Sequence, residues 1–472
     1  MSSSSSEEEK EQELQQHFTI RAVGGTEYSW CKAVPGGTGI TVLGLLLSKP
    51  PFIPKLQTVL RNLQSNHPIL RSTIHFDSNA NSYHFRTPPT SNIQIHCLDL
   101  QSTSAILGCS SGDGDTDFHL ILEHELNLNK WRDPSSDGYG VLCVSVYAIS
   151  ERRWGVFLRL HTSGCDRAAA VTLLRELLVK VGCGGESNGE AEEKGMGMAI
   201  EDLIPVEKRN KPFWARGLDM LGYSLNSFRL GNLEFVDADS PRSSKVVRLQ
   251  LDAHHTRQLV AECKSREIKL CGALAAAGMI AARASKKLPS YQKEKYGVVT
   301  LIDCRSLLDP VLSSNHLGSV LGSGFYHSAI LNTHDVCGET LWDLAKRSYM
   351  AFANAMNCNK HFSDMSDLNY LMCKAIENPG LTPSSSMRTA LISVFEDPII
   401  DESDNIHKEI GLEDYVGCAS AHGVGPSIAI FDTIRNGKLD CACVYPSPLH
   451  SREQVQELVD HMKKILVDAC NI

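Results

Sequence analysis

An α/β protein of two comparable lobes, each a mixed sheet with helices packed on it, is the architecture this sequence predicts. Three observations carry that expectation. The chain has 472 residues, more than one hydrophobic core usually serves, so two domains are expected. Strand-length apolar runs alternate with segments of helical apolar spacing in both halves. "GCGGESNGEAEEKGMG", residues 182–197, is a Gly-, Glu- and Ser-rich break with no periodicity, as in a surface loop or an interdomain connection. The division expected is a disordered tail over 1–17, a first lobe over 18–205, a connection over 206–240 and a second lobe over 241–472.

The elements follow in order. "MSSSSSEEEKEQELQQ" offers nothing to pack, so order should begin near "HFTIRAV". "GITVLGLLL" (39–47) reads as a strand. Leu56, Val59, Leu60 and Leu63 then recur at helical spacing, and that helix must stop before His67-Pro68. "YGVLCVSVYAI" and "RWGVFLRLHT" are β-branched and aromatic runs separated by "SER", as in neighbouring antiparallel strands. Ala169, Leu173, Leu174, Leu177, Leu178 and Val181 form one helical stripe that ends at Gly182. In the second half, "PRSSKVVRLQLD" and "YGVVTLIDCRS" read as strands. "LCGALAAAGMIAARASKK" is an Ala-rich helix built for close packing, and "TLWDLAKRSYMAFANAMN" is a long amphipathic one. "SIAIFDTI" and "KLDCACVYP" flank Asn436-Gly437, a hairpin turn. Ser451 and Gln454 form a capping box ahead of a last helix with Val455, Leu458, Val459, Met462, Ile465 and Leu466 on one face.

Composition narrows the function classes. Hydrophobic content of 42% and charged content of 21% are those of a soluble globular protein. A net charge of −9 with no long Lys/Arg block argues against nucleic acid or an anionic membrane as partner. No apolar run reaches the roughly 18 to 20 residues that cross a bilayer. Sixteen cysteines lie in a sequence with no secretory h-region and no CxxC pair, so reduced, mostly buried thiols in a cytoplasmic protein are expected, and no metal site. "GGTGI" (36–40) leads into a strand, not a helix, so it reads as a turn and not as a phosphate cradle. The glycines of "GSVLGSG" (318–324) read as tight turns between the lobes.

The chemistry centres on "FLRLHTSGCDRAAAVTLLRELL". His161 ends an apolar strand and precedes a tight turn of small residues, where a neutral imidazole can take a proton from an alcohol or amine. Such a His-turn-Asp stretch is more often a satisfied core histidine beside an ordinary N-cap. Asp166 begins the next helix, where it either caps that helix or turns inward to a cation.

"RLHTSGCD" resembles the His-containing motif of the CoA-dependent acyltransferase superfamily, which includes plant BAHD acyltransferases, alcohol acetyltransferases and peptide-synthetase condensation domains. "LRNLQSNHPILRSTIHF", "LIDCRSLLDP", "NHLGSVLG" and the closing strand pair with "PLHSREQVQELVDHMKKIL" resemble that superfamily's other segments in order, from about residue 18 to the end. There are two departures. The family spacing is His-x-x-x-Asp, whereas His161 and Asp166 are one residue further apart, and no Asp-Phe-Gly-Trp-Gly is present. The second places the chain outside the BAHD enzymes proper.

The resemblance implies a chloramphenicol acetyltransferase-like fold with an active-site channel between the lobes. It implies direct acyl transfer from acyl-CoA, as co-substrate and with no bound cofactor, to the hydroxyl or amine of a small-molecule acceptor. His161 would be the general base, and an Asp166–Arg305 pair would support the loop. His422 and Ser427, in "HGVGPS", are candidates for the pocket, together with the backbone of 423–425 for an oxyanion. A cytoplasmic monomer of specialised metabolism is expected, without nucleic-acid or membrane partners. The alternatives are a non-catalytic acyltransferase-like protein that binds a small molecule or partner protein, and a condensation-like domain acting on carrier-bound thioesters.

Overall fold

Thr38–Leu47, a continuous apolar run, lies inside a five-stranded sheet because both of its faces are buried. A computed structural model describes residues 18–108, 117–133, 139–182, 196–227, 230–289, 291–312, 324–381, 386–393 and 406–470. The strand order of the first sheet is Leu412–Ala421, Thr38–Leu47, Arg153–His161, Leu142–Ser150, Ile95–Leu98. Its pairings are antiparallel except the last, which is parallel. A six-stranded mixed sheet runs His327–Val336, Glu294–Asp303, Ser386–Ser393, Gly425–Arg435, Lys438–Ser447, Ser243–Gln250. Thr19–Ala22, Ser82–Thr87 and Thr73–Asp77 make a small third sheet. The two-lobed α/β architecture expected from the sequence is therefore the one observed.

Local chemistry sets the element ends. The helix Ile53–Asn66 stops where His67 leaves the helical region ahead of Pro68. Asn436 and Gly437 both have positive φ, 50° and 71°, as the tight turn between antiparallel Gly425–Arg435 and Lys438–Ser447 requires. Ser451 Oγ accepts from the Gln454 N–H at 3.2 Å, but the Gln454 amide donates to the Glu234 carbonyl at 2.9 Å. Only half of the expected capping box forms, and its other half ties the last helix to the chain before the second lobe.

Four buried clusters hold the described residues together, three of them large. In the first, Leu56, Val59, Leu60 and Leu63 pack against Leu173, Leu174 and Leu177 on one face of the five-stranded sheet. Each such side chain contributes about 1.5–3 kcal/mol. In the second, the helices Leu270–Ser285, Leu341–Asn357 and Arg452–Cys470 cover the six-stranded sheet. The third joins the lobes, with Ile40, Val42 and Phe157 from one and Val246, Ala429 and Val444 from the other.

The structure departs from the expected division at two places. Leu412–Ala421 belongs to the second half of the sequence yet pairs antiparallel along Thr38–Leu47 of the first. The stretch 206–240 also carries two helices, Val206–Arg209 and Phe213–Ser227, that a bare connection would not. The expected tail over 1–17 and most of the expected loop over 182–197 lie outside the described residues. Among the described residues the cysteines are unpaired, and no single helix is long and apolar enough to cross a membrane.

The Ala-rich helix packs closely because Gly272 has no side chain. A Cβ there would lie 2.9 Å from the Ala345 carbonyl oxygen and 3.0 Å from Tyr349 Cβ on the neighbouring helix. Gly272→Val should therefore cost about 1–3 kcal/mol by forcing the helices apart. A lowered denaturation midpoint would show it.

Candidate active site

The strand Arg153–His161 ends in a 3-10 turn, Thr162–Gly164, and the His161 ring closes that turn. Its Nδ1 lies 3.2 Å from the Ser163 N–H and 2.7 Å from Ser163 Oγ. A backbone amide can only donate, so the Nδ1 lone pair is occupied and the neutral ring carries its proton on Nε2. The ring is 2% exposed, and Trp131 meets it edge-on with centroids 5.3 Å apart. Burial lowers its pKa to about 3.

The next residue faces the other way. Thr162 lines a cavity of about 130 Å³ between the lobes, and His161 does not. The strand gives way to the turn between these two residues, and the chain there presents a hydroxyl to the cavity and turns the imidazole into the core. This corrects the expectation that His161 opens onto the interlobe channel. Thr162 Oγ1 donates to the Gly39 carbonyl and lies 2.9 Å from Thr41 Oγ1.

Asp166 combines the two roles the sequence left open. Its Oδ1 accepts from the Ala169 N–H at 2.8 Å, which caps the helix Arg167–Gly182, and from Arg305 Nη2 at 2.9 Å. Its Oδ2 accepts from the Tyr326 N–H at 2.6 Å and lies 2.8 Å from His327 Nδ1. The carboxylate is 2% exposed. Burial alone would raise its pKa, but Arg305 and His327 overcome that and hold it well below the usual carboxylate range. Arg305 also pairs with Asp303 at 2.8 Å, and its pKa is raised despite burial.

Counting four residues back from Asp166, as the family spacing has it, reaches Thr162. Thr162, which lines the cavity, is thus the residue at that spacing from Asp166, and His161 lies one position before it.

Both lobes build the cavity wall. Thr26, Ser29 and Trp30 come from the helix Gly25–Ala33. Met365, Leu368, Asn369 and Met372 come from the helix Met365–Glu377, and Val299, Leu301 and Ala329 from the six-stranded sheet. Phe325, His327, Arg167 and Asp166 add an aromatic ring and three ionisable groups. Burial pulls the Arg167 guanidinium down to about 10, against the raising effect of Asp432. Its Nη2 donates to the Asp432 carbonyl, and the group stands 5.4 Å from the centre of the Phe431 ring.

Neither His422 nor Ser427 lines this cavity, although Ala421, Val424, Gly425 and Pro426 around them do. His422 Nδ1 is 2.9 Å from Ser244 Oγ, and burial lowers its pKa to about 4. Ser427 is fully buried within its strand. "NHLGSVLG" lies outside the described residues. The sequence reading missed His327 and the Met365–Glu377 helix. Met365, Leu368 and Met372 fall at i, i+3 and i+7, which was the signal for that helix.

The fold is two-lobed and mixed α/β, with a cavity between the lobes. Residues 240–346 match the family described as phthiocerol/phthiodiolone dimycocerosyl transferase C-terminus. No match is found among curated protein sequences. Among solved structures, a trichothecene 15-O-acetyltransferase from Fusarium sporotrichioides aligns with a TM-score of 0.71 at 11% identity, covering 96% of this chain and 95% of that one. Polyketide synthase associated protein 5 from Mycobacterium tuberculosis aligns at 0.66 and 15% identity, covering 95% and 98%. The condensation domain of the monacolin K polyketide synthase aligns at 0.62 and 10%, covering 96% and 98%. At such identities the likeness is one of fold.

Two outcomes follow from these electrostatics. Asp166→Asn leaves Arg305 with Asp303 as its remaining carboxylate and should cost about 1.5–3 kcal/mol, read as a drop in the urea midpoint. The second concerns pH. Burial lowers His161 to about 3 and His334, His361, His422 and His450 to about 4. Unfolded histidines titrate near about 6.5, so these rings favour the fold fully above that pH and progressively less as pH falls toward 4. Denaturation midpoints should thus be level above about pH 7 and fall between 6.5 and 4, and His161→Gln should make that fall shallower.

Proposed function

We propose that the protein is an acyltransferase that moves an acyl group from acyl-CoA to a hydroxyl or amine of an apolar small molecule held between its lobes. The observation that carries this reading is the interlobe cavity itself. Apolar side chains from both lobes line it together with Thr162, Asp166 and His327, in a fold like that of a solved acetyltransferase. Such a cavity suits an acceptor with a mainly hydrocarbon body and one or two polar groups. Holding donor and acceptor side by side supplies much of the rate advantage. His161 is a poor base for the step, because its lone pair is taken by Ser163 and burial keeps its pKa about 3.

One observation favours a second reading, a binding protein of the same fold without turnover. Thr162 stands at the cavity where the family spacing counted from Asp166 calls for a histidine. The readings separate when the full chain is incubated with a panel of acyl-CoAs from acetyl to long-chain, each with hydroxyl and amine acceptors. Free thiol release that depends on both partners is expected. Saturable acceptor binding with no thiol release from any pair would establish the binding protein instead.

A further inference from the structure

We propose that His327, not His161, is the proton acceptor of this cavity, in a dyad with Asp166. The inference rests on the acyl-transfer reading and adds to it the residue that performs the step.

His327 begins the strand His327–Val336 and pairs in register with Asp303 at the end of Glu294–Asp303. It lines the cavity with Thr162, Asp166 and Phe325. Its Nδ1 is 2.8 Å from Asp166 Oδ2. An ionised carboxylate only accepts, so the nitrogen facing it is the one that carries the proton. The neutral ring then has its lone pair on Nε2, the nitrogen away from Asp166. His161 is fixed in the opposite sense, with its lone pair on Nδ1 directed at Ser163. Of the two rings, His327 therefore combines a cavity position with a basic nitrogen not committed to the protein's own amides.

The Nδ1–H is bent away from the line to Oδ2, since the short approach does not make a well-formed hydrogen bond. Catalytic contacts are often misaligned before substrate enters and tighten when charge develops. A proton gained at Nε2 would turn the contact into an ion pair with a carboxylate that Arg305, Tyr326 and Ala169 already hold in place. Arg305 and Asp303 are the nearest charges behind the dyad, and Arg167 is the cation on the cavity wall.

The step balances without another reactant. Nε2 takes the acceptor's O–H or N–H proton as that oxygen or nitrogen bonds to the thioester carbonyl carbon. The carbon–sulfur bond then breaks, the imidazolium returns the proton to the departing CoA thiolate, and His327 ends neutral.

The test uses the full chain, acetyl-CoA or the donor that the panel selects, and the acceptor giving most thiol release. His327→Gln and His327→Ala should lower kcat by about 100-fold or more with a much smaller change in KM. Imidazole in solution should restore part of the activity of H327A, which a structural role would not allow. Should both variants fail to fold, diethyl pyrocarbonate on the unaltered protein decides. Peptide mapping should find carbethoxylation of His327 in step with lost activity, and lost activity with His327 unmodified overturns the assignment. Thiol release that survives His327→Gln overturns it too, while leaving the acyl-transfer reading intact. An unaltered protein that releases no thiol with any pair removes both.

Discussion

A single buried carboxylate holds the two lobes in register. Asp166 sits at the start of a helix in the first lobe, yet two of its partners, Arg305 and the Tyr326 amide, belong to the second. A charge this deep is tolerable only while every lone pair is met, so the lobes cannot separate without leaving Arg305 or Asp166 uncompensated. The contact also fixes the backbone from Gly324 to His327, because the Asp166 N–H donates to the Gly324 carbonyl at 3.1 Å. Cavity shape and the orientation of its polar groups are thus set by one ion pair and its attendant amides.

Much of this was legible in the sequence. Strand and helix periods, His67-Pro68 and Asn436-Gly437 gave the elements where the structure has them, since each depends on neighbouring residues alone. The Asp166–Arg305 contact was expected from the resemblance to the acyltransferase superfamily, since the residues alone left Asp166 as either a helix cap or a partner of some cation. What the residues could not tell was which of two adjacent side chains faces the cavity. His161 ends the strand and Thr162 opens the turn, and that one step exchanges core for cavity. Strand pairing decides it: His161 lies opposite Ile40, with Trp131 against its ring. His327 was invisible for a related reason, since its partner lies 161 positions away in sequence and only the closed lobes bring them together.

The cavity gives the fold its chemical character. Met365, Leu368, Met372, Val299 and Leu301 line it with hydrocarbon, and Thr162, Asp166, Arg167 and His327 add polar groups. Fold alone does not determine the reaction. What the structure adds is one imidazole placed against a fixed carboxylate on the wall of a largely apolar cavity.

Leu412–Ala421 has a wider meaning for how the protein comes into being. This strand lies along the outer side of Thr38–Leu47, so the first sheet has an uncovered hydrogen-bonding edge until the chain has been synthesised past position 421. An N-terminal half emerging from the ribosome would display that edge to its neighbours. The two halves are laced together at birth, and maturation of either lobe waits on nearly the whole polypeptide.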